Sequence, residues 1–453
     1  MVAKKQWSSN LLFLITAIGT EAGIANFWKF TYLAGENGGA SFVFVYFIAL
    51  AALAVPALIA EMLIGRYCGR SVPGCMRLLV ERDGASPLWK VYGPIAMIGI
   101  FLVLSFYFVV CGWMVHYFWL ALRGSFEHID GRQAAIVYEQ MLSSPQTMLS
   151  CSGLFILLTT IVVASGVNKG IERVSGVLTP LRFAILIGLC AYAATVGNTR
   201  AAADFLLTFR LERLTANVIV VAVGQAFFSL GVGAGVLMTV AAYMRREYSI
   251  VRSVFTVAFA QGFVAVLAGF SIFPLVFAYG LQPAGGPGLV FQTLPVAFSH
   301  MPYGMMFGIV MFLVLSFAGL TATIVLLESI VAFLEEYTRL SRAVATYGAG
   351  LAIWLAGFAT VFSFNLWKHV YPLRLLGIDS QRTPFQLIDY LAANILLPVG
   401  GLMVAGIAGW SLSRSVVVSE LAIGDGLGLR LWRAAVRYLV PVALAIVFIS
   451  IQG

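Results

Sequence analysis

Eleven apolar runs divide this chain, at about residues 9–32, 40–65, 93–122, 148–166, 174–196, 215–243, 253–280, 304–334, 346–364, 386–411 and 431–450. The hydrocarbon core of a bilayer takes about 20 residues of helix to cross. Lipid offers the backbone no hydrogen-bond partners, so spanning segments must be helices or strands of a closed barrel. These runs lack period-two alternation and are longer than strands, so they read as helices. Composition agrees. Of 453 residues, 10% are charged and 61% hydrophobic, whereas soluble domains carry roughly 25% charged residues. Too little charge remains to coat a water-facing surface. The expected class is an all-α polytopic membrane protein, and with no low-complexity linker it reads as one domain over 1–453.

The net charge of +9 does not point to nucleic acid, because the cations are spread over short loops between apolar runs. With the N-terminus inside, 18 of the 28 Lys and Arg residues fall in inner segments and 8 in outer loops. Lys29 and Arg182 lie within spans. This bias predicts a multi-pass protein of the cell (inner) membrane with a cytoplasmic N-terminus. The first apolar run continues as a span, so no cleavable leader is expected. The five cysteines lack CxxC spacing and the four histidines are dispersed. Reduced thiols are expected, and neither a metal cluster nor a nucleophilic triad, so the chain does not read as an enzyme.

Two spans carry interruptions at matching positions. Span 1 has Gly19, Thr20, Glu21 and Gly23 in its middle; span 6 has Gly231, Gly233 and Gly235. Paired interrupted segments are the best sequence pointer to a carrier's central site. Glu21 beside such a break supplies an anionic oxygen where freed carbonyls already favour a cation. Glu61 in span 2 is expected to satisfy freed amides of a broken helix. Glu328, near the end of span 8, is expected to reach water along its helix. Arg182, near the midplane, either binds carbonyls at a helix interface or takes part in coupling.

The stretches Gln6-Trp7-Ser8-Ser9, Gly19 to Phe30 and Glu36-Asn37-Gly38-Gly39 resemble the neurotransmitter:sodium symporter family. So do Glu61 to Tyr67, Lys169 to Arg173, Gln225 to Gly235, Ala318 to Thr321, and Asp389. The resemblance covers essentially the whole chain. It implies the LeuT fold: two inverted five-helix repeats (about 9–196 and 215–411) with spans 1 and 6 broken, plus an extra helix at about 431–450. The implied activity is secondary active transport, with Na+ as the coupling ion and a small amine or amino acid as cargo.

Carried over position by position, the first sodium site would use the Asn26 side chain, the Ser229 hydroxyl, the Glu21 carbonyl and Gln261. The second would use the carbonyls of Gly19, Ala22 and Ala318 and the hydroxyl of Thr321. The implied substrate pocket is lined by Thr20, Glu21, Ile24, Ala25, Val103, Tyr107, Phe228, Ser229, Gly231, Ala234 and Leu326, with Tyr107 and Phe228 as an aromatic lid. Lys29 and Asp389 resemble the outer charged gate. Lys4 and Glu336 resemble the inner one, supported by Trp7 and Tyr243. Gly170 and Pro180 match the motif that lets span 5 unwind.

Departures from the family pattern bear on coupling. Ala322 lacks the hydroxyl the second site usually has, and Gln261 stands in place of Asn. Glu21 replaces a small residue and Ala25 replaces a glycine, crowding the place of a substrate carboxylate. Ala234 widens the pocket, and Ala265 replaces the acid of chloride-independent relatives. Together they suggest a cargo without an α-carboxylate, such as an amine. The alternatives are proton coupling through Glu21, charge substitution by Arg182, an ordinary amino-acid cargo, and a non-transporting sensor.

Overall fold

A computed structural model describes residues 6–24, 26–282, 290–375, 377–378, 380–424 and 426–450, apart from the side chains of Asn26, Trp28 and Leu375. Among these residues the structure is helical, without strands. Nine helices among the described residues are long and apolar enough to cross a membrane: Ala40–Cys68, Pro87–Leu122, Pro145–Ala164, Val167–Val196, Ile250–Ala278, Gly304–Tyr337, Arg342–Ser363, Pro384–Ser411 and Leu427–Ser450. The two remaining expected spans are the interrupted ones, where shorter helices Asn10–Glu21 and Ala216–Ser229 stop in the middle of the bundle.

Helix starts follow from the need to satisfy the first turn's amides. The side chains of Ser9, Ser144, Thr215, Ser249, Ser341 and Thr383 each accept a backbone N–H at the beginning of a span. Such caps contribute about 1 kcal/mol each. Span 5 opens with a wide π turn at Val167–Glu172 and then runs unbroken through Pro180. Span 3 packs along spans 4, 8 and 9, while spans 1 and 6 lie against spans 2, 5, 7 and 8.

Several loop segments are helical although hydropathy does not mark them: Val72–Asp83, Gly131–Ser143, Thr199–Leu207, Thr293–His300 and Arg414–Leu421. Arg414–Leu421 locks the end of span 2. The Arg66 Nε lies 2.8 Å from the Glu420 carboxylate, and its Nη1 donates to the Tyr248 carbonyl at 2.5 Å, all in a buried setting. The expectation that Glu328 reaches water is corrected here. Glu328 is buried and its carboxylate is chelated by Arg342, with the Tyr243 hydroxyl donating to it at 3.1 Å. The turn between spans 8 and 9 brings Arg342 back onto span 8, so pairing replaces solvation.

Candidate functional site

Span 6 breaks between Ala216–Ser229 and Val236–Ala242. Gly231, Gly233 and Gly235 take φ of +52°, +91° and +78°, backbone that side chains rarely adopt. The break frees amides at the start of the second half-helix. Glu61, fully buried on span 2, accepts from Gly233 N at 2.9 Å and from Met238 N at 3.4 Å. The Tyr92 hydroxyl donates to the Gly233 carbonyl at 3.2 Å. Glu61 thus does what the sequence suggested, satisfying amides freed by the break and by the start of the second half-helix.

Span 1 ends its first half at Glu21, and Gly23 N turns back onto the Glu21 carbonyl at 2.8 Å. Beside this turn, Thr321 Oγ1 lies 2.8 Å from the Gly19 carbonyl and 3.2 Å from that of Ala318. Three of the four groups expected at the second ion site therefore converge; the fourth, Ala22, is buried in the adjoining turn. At the first expected site, Ser229 Oγ is 3.1 Å from the Tyr46 hydroxyl, and Gln261 hydrogen-bonds the same hydroxyl. Ala25 and the side chain of Asn26 lie outside the described residues. Sequence reasoning missed Tyr46. A tyrosine hydroxyl at bilayer depth needs a partner, and that signal would have found it.

Around the two breaks several expected pocket residues keep accessible surface. Val103, Tyr107, Phe228, Gly231, Ala234 and Leu326 are only partly buried, although much of the surrounding helix is fully buried. The Glu21 carboxylate faces Gly231, where an added methyl would stand 3.2 Å from its Oε2. No donor among the described residues hydrogen-bonds that carboxylate. The Tyr107 hydroxyl accepts from Ile24 N at 3.3 Å, across the span-1 break. Thr20 is buried with its hydroxyl turned back to the Thr16 carbonyl at 2.8 Å, so it presents carbon rather than a free donor.

The two ends of the pathway differ. At the N-terminal end Trp7 is buried, its Nε1 donating to the Val240 carbonyl at 2.8 Å and its ring edge-on to Tyr243 at 6.2 Å. The Glu336 carboxylate accepts from Ser71 N at 2.9 Å and from Arg70 at 3.4 Å; its expected partner Lys4 lies outside the described residues. At the opposite end the expected Lys29–Asp389 ion pair is not formed. The Lys29 ammonium instead sits 3.8 Å from the centre of the Phe228 ring, a cation–π contact. Tyr107 and Phe228, expected as an aromatic lid, are not in ring contact. Behind Phe228 a cavity of about 180 Å³ is lined by Lys29, Gln225, Asn394 and Leu444.

The sequence model described as the sodium:neurotransmitter symporter family matches residues 4–134 and 139–377. An uncharacterized sodium-dependent transporter of Bacillus subtilis, YhdH, is 33% identical, the match covering 99% of this chain and 98% of the relative. A sodium-dependent dopamine transporter of Bos taurus is 24% identical over 89% of this chain and 63% of its own length. The crystal structure of MhsT in complex with L-phenylalanine superposes with a TM-score of 0.90 at 34% identity, covering 99% of this chain and 100% of that one. The fold is the LeuT fold with spans 1 and 6 broken, and the activity is sodium-coupled symport of an amine or amino acid, not an enzymatic reaction. The chain belongs to the sodium:neurotransmitter symporter family.

Proposed function

We propose that the cargo is a small amine lacking an α-carboxylate, held with its ammonium against Glu21 between the two breaks. The supporting observation is that buried carboxylate, which no donor among the described residues hydrogen-bonds. A charge without a partner at this depth is costly, and a cationic cargo supplies one. A sodium ion would sit at the first site, on the Glu21 carbonyl, Ser229, Gln261 and Asn26. The two halves of the chain, about 9–196 and 215–411, act as the repeats, with the helix at about 431–450 appended. Transport proceeds by alternate opening of the Lys29/Asp389 end and the Trp7/Tyr243/Glu336 end, the latter facing the cytoplasm across the cell membrane. A second reading, an amino acid carried as its zwitterion, is favoured by the L-phenylalanine bound to MhsT.

Phenethylamine and L-phenylalanine differ only by the carboxylate and discriminate the two readings. In thermal-shift titrations of the purified protein, phenethylamine is expected to stabilise it in sodium chloride and not in choline chloride. Charge-assisted hydrogen bonds contribute about 1.5–3 kcal/mol, so Glu21→Gln should weaken that amine by about 10- to 100-fold. Stabilisation by L-phenylalanine alone, equal in wild type and Glu21→Gln, would overturn the assignment of an amine to Glu21.

A further inference from the structure

Arg182 is among the largest fully buried side chains, at 1% exposure in span 5, and forms no ion pair among the described residues. Its Nη1 donates to Thr321 Oγ1 at 3.3 Å, and its Nη2 has no hydrogen-bond partner among the described residues. The Phe183 ring lies 5.7 Å from the guanidinium carbon. A cation at this depth without a carboxylate must be held by neutral oxygens, and the one it reaches is Thr321 Oγ1, beside the span-1 break. Thr321 Oγ1, which takes the guanidinium proton, also touches the Gly19 and Ala318 carbonyls. Thr179, on the same face as Arg182, presses Oγ1 to within 2.4 Å of where a Gly19 Cβ would stand. Span 5 therefore brings its positive charge beside the broken end of span 1, through Thr321 of span 8.

We propose that the Arg182 guanidinium is a tethered cation that stands in for the second sodium ion, so that this carrier binds one sodium where the two-site arrangement binds two. Three features of the site converge on this. A hydroxyl oxygen that binds an ion must offer it a lone pair, and on Thr321 that position receives the Arg182 N–H. Ala322 removes a further oxygen that a free ion would need and a guanidinium does not. The helix Asn10–Glu21 directs its electronegative C-terminal end at the site, which favours a positive charge of either kind; two positive charges this close repel, so the arginine excludes the ion. Sodium can leave the site during a cycle, whereas the guanidinium cannot, and the charge carried per cargo falls by one. The inference rests on the proposed first site for its count of one ion, but not for the exclusion at the second.

Equilibrium binding of ²²Na⁺ to purified full-length protein tests it directly. Wild type is expected to bind one sodium per chain, and Arg182→Ala combined with Ala322→Ser to bind two. Arg182→Lys, which keeps the charge, should stay at one. Added guanidinium chloride at millimolar concentration should displace one of the two ions from the double variant and leave wild type unchanged. Two sodium ions on wild type, or no gain in a double variant that elutes as a single folded species, would overturn the proposal. If the double variant does not fold, the wild-type and Arg182→Lys counts decide alone. A count of zero for wild type with a gain of one in the double variant would remove the first site and retain the role of Arg182.

Discussion

Glu61→Ala is expected to abolish the folded, transport-competent protein, with Glu61→Gln retaining roughly half of the lost stability. The carboxylate accepts one backbone amide from within the span-6 break and one from the half-helix after it, in a setting with no access to water. Each such bond to a charged acceptor is worth about 1.5–3 kcal/mol, so removing the carboxylate costs on the order of 3–6 kcal/mol before the vacated volume is considered. Glutamine keeps one acceptor oxygen and loses the charge. The measurement is the unfolding midpoint of detergent-purified protein, together with its elution as a single species. A midpoint for Glu61→Ala within a degree of wild type would show that the break holds itself open without this support.

Helix number, the two breaks and the Glu61 contact were legible because each left a chemical anomaly in an apolar background. A carboxylate at Glu61, glycines at 231, 233 and 235, and Thr20-Glu21 all sit where lipid would refuse them. What hydropathy does not carry is direction around a helix. Tyr46 reads as one more aromatic in a run of Phe and Tyr, yet it turns inward to Ser229 and Gln261. Glu328 has the same depth as a residue that could reach water, but the turn of the chain puts Arg342 on it first. The outer gate pair is not closed for a related reason. Lys29 and Asp389 are complementary in charge, and pairing them depends on which of the alternating states the bundle occupies, which no local pattern encodes. In this conformation Trp7 seals one end while Lys29 rests on Phe228 at the other. The short helices at Val72–Asp83 and Gly131–Ser143 were missed because they are too polar to register as spans.

The contact between the span-6 break and span 10 should be the least tolerant of added bulk. A Cβ at Gly233 would stand 2.3 Å from Gly401 N and 2.4 Å from the Leu397 carbonyl, both rigid backbone; one at Gly400 would meet the Gly233 carbonyl at 2.1 Å. Neither neighbour is a side chain that can swing aside. Gly233 also sits at φ +91°, which adds about 1–3 kcal/mol of backbone strain for any other residue, on top of about 1–3 kcal/mol for overpacking. Gly233→Ala is therefore expected to lose about 2–6 kcal/mol and to disturb the carbonyl that Tyr92 holds. Gly348→Ala supplies the opposite case, since its added methyl meets nothing within 4 Å in the helix Arg342–Ser363 and alanine at a compatible helical position stabilises by about 0.4–1 kcal/mol. Thermal midpoints of the two variants should move in opposite directions. Equal midpoints would mean that span 10 withdraws from the break at little cost, and that the close approach of Gly233 to Gly400 does not fix the geometry of the central site.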